Sequence, residues 1–193
     1  MQSSPRDRLL TTLDDMSTRG SVMDVGINTV LRASSVAKAS LYEHFGSKEG
    51  LIVAWLEARQ TQWFGWFEGH VAEQADQADP RSELDAAFGF LETWLGRSDF
   101  AGCPFLSIYL QLNTPDHPAA ESSRAYARRL HAFFRRHLSA LGAGSRPTER
   151  AASTLLELFL GAIVVKQLGI GRSPAKTARS AARQVVNHAQ SDH

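Results

Sequence analysis

Hydrophobic positions along this chain recur at intervals of three and four, the period of a helix with one buried side. Leu9, Leu10, Leu13 and Met16 make one such stripe over Arg6–Thr18. A short second helix begins near Gly26, with Asp24 placed to cap it and Ile27, Val30 and Leu31 inward. A third is expected from Ala37 to His44, with Val36, Leu41 and Phe45 toward a core, and Gly46 breaks it. Ser47 is placed to cap a long fourth helix, in which Leu51, Ile52, Trp55, Leu56, Trp63, Phe67 and Val71 repeat as far as Gln74.

The pattern continues after a break at Asp76–Pro80. Ser82 is the expected cap of a fifth helix carrying Leu84, Phe88, Leu91, Trp94 and Leu95. A short apolar helix is expected at Cys103–Asn113, and a long one at Ala119–Leu141 with Tyr126, Leu130, Phe133, Phe134 and Leu138. Thr148–Leu168 and Ala175–Ala189 complete about nine helices. No stretch alternates as a strand does, and no Asn-Gly hairpin signal or internal repeat is found. The fold class is all-α.

Composition narrows the class further. A hydrophobic fraction of 43% with 21% charged residues describes a chain with a real core. The net charge is +1, and Met1–Leu51 itself is balanced, so strong non-specific affinity for a polyanion is not expected. The single cysteine, Cys103, excludes an intrachain disulfide and fits a reducing compartment. The opening MQSSPRDRLL lacks the apolar run of a signal peptide, and the longest run, Leu158–Val165, is far too short to span a bilayer. A soluble cytoplasmic protein without a membrane partner is expected.

The stretch Gly26–Leu51 carries candidate chemistry. Two short helices joined by a tight turn, the second with few large apolar groups, match a helix-turn-helix, although an ordinary helical corner has the same pattern. A helix that enters a major groove about 12 Å wide must lead with small or polar side chains. Lys38, Ala39, Ser40, Tyr42 and Glu43 meet that need, while Leu41 and Phe45 can anchor the helix. Tyr42 and His44 can donate to phosphate oxygens, and Lys48 sits at a helix start, where free amides also favour phosphate.

From Val36 to Leu51 the chain reads VAKASLYEHFGSKEGL, which closely resembles the signature of TetR-family transcriptional regulators. Gly26, Ile27, Asn28 and Leu31 resemble the preceding helix of many members. The likeness covers about residues 6–56. It implies a homodimer that binds a palindromic double-stranded DNA operator and releases it when a small molecule enters the C-terminal part. It assigns DNA contact to Lys38, Ala39, Ser40, Tyr42, His44 and Lys48. Three positions depart from the usual pattern: Ser35 where a turn glycine is common, Ala37 where serine is, and Ser40 where threonine is. The expected division is a DNA-binding domain at 1–51 and a ligand-binding and dimerisation domain at 52–193.

The rest of the chain allows several readings. The helix at Thr148–Leu168 is apolar on more than one face, which suits either a central core helix or one shared with a second subunit. Candidate interface residues are Leu155, Phe159, Ala162, Ile163, Ala178, Ala182 and Val185. Trp63, Phe67, Phe88, Trp94, Tyr109, His131, Phe134 and Phe159 could line a cavity for an unknown hydrophobic effector, or simply fill the core. Gln62, Gln111 and Asn113 are further polar candidates. Arg124, Arg128, Arg129, Arg135 and Arg136 suit a solvated face paired with the acidic stretch Glu68–Asp85, or an anionic ligand.

An enzyme is a competing class. Cys103 lies at a helix start, but Pro104 follows it and no spacing points to a particular histidine. The seven histidines have no metal-ligand spacing, and no cofactor is expected. A helical adaptor without DNA is the third class, against which Tyr42, His44 and Lys48 stand.

Overall fold

The computed structural model describes residues 3–18, 20–76, 78–112, 114 and 116–191. Asn113 therefore lies outside the described residues. Within them the chain forms helices alone: α1 (Pro5–Ser17), α2 (Ile27–Ser34), α3 (Lys38–Phe45), α4 (Lys48–Gln74), α5 (Pro80–Leu95), α6 (Pro104–Gln111), α7 (Pro118–Ala140), α8 (Ser145–Gln167) and α9 (Pro174–Ser191). None is long and apolar enough to cross a membrane.

Proline sets several of these starts. Pro5, Pro80, Pro104, Pro118 and Pro174 each open a helix, where the missing N–H has no partner to lose and φ is already helical. This explains one difference from expectation. α5 is capped by Asp79, whose side chain accepts from the Arg81 amide at 2.9 Å. Ser82 instead accepts from the Asp76 amide at 2.9 Å and ties down the preceding loop. The start of α2 differs too: Gly26, which has no side chain, is its N-cap, and Asp24 does not cap it.

The chain divides into two compact units, Met1–Gln62 with Cys103–Tyr126 and Trp63–Gly102 with Ala127–His193. In the first, Leu9, Leu13, Val30, Val36, Leu41, Leu51, Ile52 and Leu56 make the core of a small helical head. Trp55 is buried there and donates its indole N–H to Asp14 at 2.9 Å, while Arg59 pairs with the same carboxylate at 3.2 Å. Phe105 of α6 stacks on Tyr126 of α7, ring centroids 4.4 Å apart.

The second unit is built on aromatic rings. Trp63 lies parallel to Phe67 at 5.3 Å and meets Phe90 and Trp94 edge-on. Phe159 of α8 reaches Trp63, Phe67, Phe88 and Phe134. Each such pair contributes about 0.5–1.5 kcal/mol beyond the burial of its area. α9 packs along α8 and α5 through Ala175, Ala178, Ala182, Val186 and Ala189, a small-residue stripe that lets the helices approach closely. Its register is fixed by Arg179 and Arg183, which both grip Asp85 of α5.

Candidate nucleic-acid interface

The turn between α2 and α3 is made by Ser35, whose backbone is left-handed at φ 53° and ψ 38°. A side chain in that region costs roughly 1–2 kcal/mol, so glycine is the easier choice. Here the strain is tolerated because the turn is held: Val36 N–H bonds back to the Leu31 carbonyl, and the Arg8 guanidinium reaches the Ser35 carbonyl at 3.4 Å. Val36 then plugs into the core. The serine at this position, marked in the sequence as a departure, thus keeps the turn intact.

α3 leaves the turn with Ala37 as N-cap and no side-chain cap bond. Leu41 is fully buried and fastens the helix to the head. Around that anchor, Lys38, Ala39, Tyr42, Glu43 and His44 are exposed, and Ser40 is half-buried. Tyr42 is 46% exposed, a high value for a large ring. The Lys38 ammonium stands 5.8 Å from the centre of that ring, one helical turn away. Away from the Leu41 anchor, the exposed surface of α3 therefore offers a cation, a carboxylate, two hydrogen-bonding rings and a methyl group, without a bulky aliphatic side chain in the way.

α4 begins where α3 stops. Gly46 turns the chain at φ 72°, and the Ser47 hydroxyl accepts from the Gly50 amide at 3.0 Å. The junction is so tight that a Cβ on Gly50 would lie 2.0 Å from the Phe45 carbonyl oxygen. Lys48 is half-buried, and its ammonium donates to the Met23 carbonyl in the α1–α2 loop at 2.7 Å. An ammonium has three donors, so two remain for a phosphate. The charge at the start of α4 is fixed in place before any ligand arrives. Of the six head residues singled out in the sequence, five lie on or beside the exposed face of α3, and Lys48 stands at the next helix start.

The body candidates fall differently. Trp63, Phe67, Phe88, Trp94, Phe134 and Phe159 are all buried and in ring contact with one another, so they fill the core of the second unit. His131 is half-buried, 3.2 Å from the Ser153 hydroxyl and 3.5 Å from Glu149. Tyr109 belongs to the other unit and is exposed beneath the Arg124 guanidinium. A half-open cleft of about 340 Å³ does exist, between α5, α8 and α9. Its floor is Leu84, Phe88, Leu155 and Val186, and Arg81 and Asn187 bond across its rim at 2.8 Å. Sequence reasoning missed it, because Arg81 and Asn187 lie 106 positions apart and nothing local links them.

The interface candidates are also largely internal. Leu155, Phe159 and Ile163 are fully buried, Ala162, Ala178 and Ala182 nearly so, and Val185 is half-buried. Packing of α8 against α9 and α5 has already covered them, so a second chain would gain little area there. The large apolar side chains exposed on and after α8 are Val164, Leu168 and Ile170, with Gly161 one turn before Val164. In the arginine stretch, Arg129 pairs with Glu68 at 2.7 Å and caps the Phe64 ring at 4.0 Å, while Arg124 lies 3.9 Å from Glu121 of its own helix.

Comparison with known proteins accords with this head. Residues 22–55 match the sequence profile of the bacterial regulatory proteins of the tetR family. No curated protein matches the chain. Among solved structures, a TetR transcriptional regulator of Streptomyces avermitilis is 27% identical, with a TM-score of 0.81 over 99% of this chain and 100% of that one. A TetR-family regulator of Streptomyces coelicolor shares the fold at 23% identity and a TM-score of 0.77, over 99% of this chain and 96% of that one. Reduced NemR of E. coli shares it at 20% identity and 0.78, over 94% and 97%. The head is thus matched from Val22 to Trp55 by the tetR-family profile, and the fold is similar to that of such regulators.

Proposed function

We propose that the protein is a homodimeric, ligand-responsive DNA-binding regulator that represses from a palindromic operator in the cytoplasm. Residues 1–51 serve as its DNA-binding domain and 52–193 as its ligand-binding and dimerisation domain. The observation that carries this reading is the exposed face of α3, where Lys38, Ala39, Ser40, Tyr42 and His44 surround a helix fastened by the buried Leu41. α3 enters the major groove, with Lys38, Ala39 and Ser40 toward base edges. Tyr42, His44 and Lys48 take phosphates and set the register.

Two such helices must stand about 34–36 Å apart to occupy successive grooves on one duplex face. The second chain docks on the outer surface of α8, where Gly161, Val164 and Leu168 follow helical spacing and remain exposed. A small hydrophobic effector releases the operator by binding the DNA-incompetent arrangement more tightly. The cleft over Leu84, Phe88, Leu155 and Val186 has the size and apolar floor that such a molecule needs. Selection of bound sites from random DNA tests the whole reading. Enrichment of an inverted repeat is expected. Failure to enrich any sequence would favour a helical adaptor that no longer binds DNA.

A further inference from the structure

The first compact unit joins the head to a part of the chain far away in sequence, α6 and the start of α7. Side-chain hydrogen bonds cross that junction. Gln111, the last residue of α6, takes its side-chain oxygen to the Ser21 hydroxyl in the α1–α2 loop, 90 positions earlier. The Gln60 side chain donates to the Ser122 carbonyl of α7 at 3.3 Å. Glu49, at the start of α4, ionises below the usual carboxylate range, first through its own backbone amide and then the Ser47 hydroxyl, with a smaller attraction from His117. Gln111, at the end of α6, thus holds the α1–α2 loop.

The loop it holds is the one that holds Lys48. Ser21 accepts from the Met23 amide at 3.2 Å, which folds the loop back on itself. The carbonyl of the same Met23 receives the Lys48 ammonium at 2.7 Å. The links therefore run in series: Gln111 to Ser21, Ser21 to Met23, Met23 to Lys48. A lysine on a four-carbon stem samples many rotamers unless something fixes its head. An anchor removes that disorder before binding, so less must be lost when a phosphate arrives.

We infer that Gln111 is a positioning residue for DNA contact, setting the Lys48 ammonium through Ser21 and the Met23 carbonyl. This rests on the DNA-binding reading above. Gln111 touches no DNA itself. It acts through the α1–α2 loop, which its side-chain oxygen holds at Ser21.

The test is a mutant cycle on the full chain, with DNA selected from random sequence and affinity measured across a salt series. Gln111→Ala and Ser21→Ala are each expected to weaken binding roughly threefold to tenfold, the weight of one hydrogen bond. Together they should cost no more than one of them, because both remove the same link. In a Lys48→Ala background, Gln111→Ala should add nothing. Thermal midpoints, which report a merely structural role, should stay near wild type for Gln111→Ala. Wild-type affinity in Gln111→Ala, or an undiminished effect of that change in the Lys48→Ala background, overturns the inference. If the wild-type chain selects no DNA at all, the DNA-binding reading itself is overturned, and the inference falls with it.

Discussion

Asp85 of α5 and Arg179 of α9 meet as a two-pronged pair, Nη2 to Oδ2 at 2.6 Å and Nε to Oδ1 at 3.1 Å. Arg183, one turn on, grips the same carboxylate. Burial alone would raise the Asp85 carboxyl, but bonds from Arg179 and then Arg183, with their charges, outweigh it and hold the group far below the usual carboxylate range. A carboxyl depressed in the folded state binds fewer protons there than in the unfolded chain. Its contribution is complete above the unfolded value, about 3.9, and is lost as pH falls from there toward the folded one. Water reaches this pair, so Asp85→Asn should cost about 1–2 kcal/mol at neutral pH, less than a sealed ion pair. Thermal midpoints against pH should show wild type and variant converging below about pH 4. Parallel curves down to the acid limit would rule out this linkage.

Ser35 offers a substitution that should stabilise. Its left-handed backbone costs roughly 1–2 kcal/mol, which glycine escapes, while glycine adds freedom to the unfolded chain worth about 0.4–1 kcal/mol. Ser35→Gly should therefore raise stability by about 0.5–1 kcal/mol, and Ser35→Val, branched at Cβ, should lower it. Denaturant melts of the three proteins decide the matter; a glycine variant less stable than wild type contradicts the strain.

The head was legible because its chemistry is local. VAKASLYEHFGSKEGL carries anchor, exposed face, turn and cap within sixteen consecutive residues, and each was found where spacing put it. Helix existence was legible for the same reason, since α5 and α8 write their buried stripes in intervals of three and four. What spacing could not show was which apolar face met which partner. Leu155, Phe159 and Ile163 are apolar whether the covering helix belongs to the same chain or another, and only the placement of α5 and α9 decides it. Gln111 and Ser21 were equally silent, being ordinary polar residues until the chain brings them together.

Cys103 should be inert in the folded protein. It is fully buried at the start of α6, and burial pushes its thiol up to about 11 despite hydrogen bonds from nearby backbone. A thiol rather than a thiolate is present at neutral pH, and thiols react poorly. Labelling by a thiol reagent at pH 8 should be slow in the native protein and rapid in denaturant. Fast native labelling would show that α6 opens readily.

Lys48 has a distinct electrostatic signature. Its loss should weaken binding about equally on all selected sequences and reduce the slope of log K against log salt by about 0.9 per head, the release of one counterion. Lys38→Ala, at a position proposed to meet base edges, should instead change which sequences are preferred. A Lys48→Ala protein with altered base preference and an unchanged salt slope would exchange these two roles.

Gly161 separates folding from assembly. A Cβ built on it meets nothing within 4 Å, so a larger side chain fits the single chain without strain. Replacing a helical glycine should even favour α8, by up to about 1 kcal/mol. Yet Gly161 lies on the stripe with Val164 and Leu168, where two copies of α8 must approach closely if the chain pairs there. Gly161→Arg would place a charge and a long stem at that crossing in both chains at once, because a two-fold interface doubles every change. The expected result by sedimentation is a monomer with wild-type helicity. Its operator affinity should fall steeply, since one head alone keeps half of the phosphate contacts and loses the fixed spacing of two. An intact Gly161→Arg dimer would move the interface away from this face of α8.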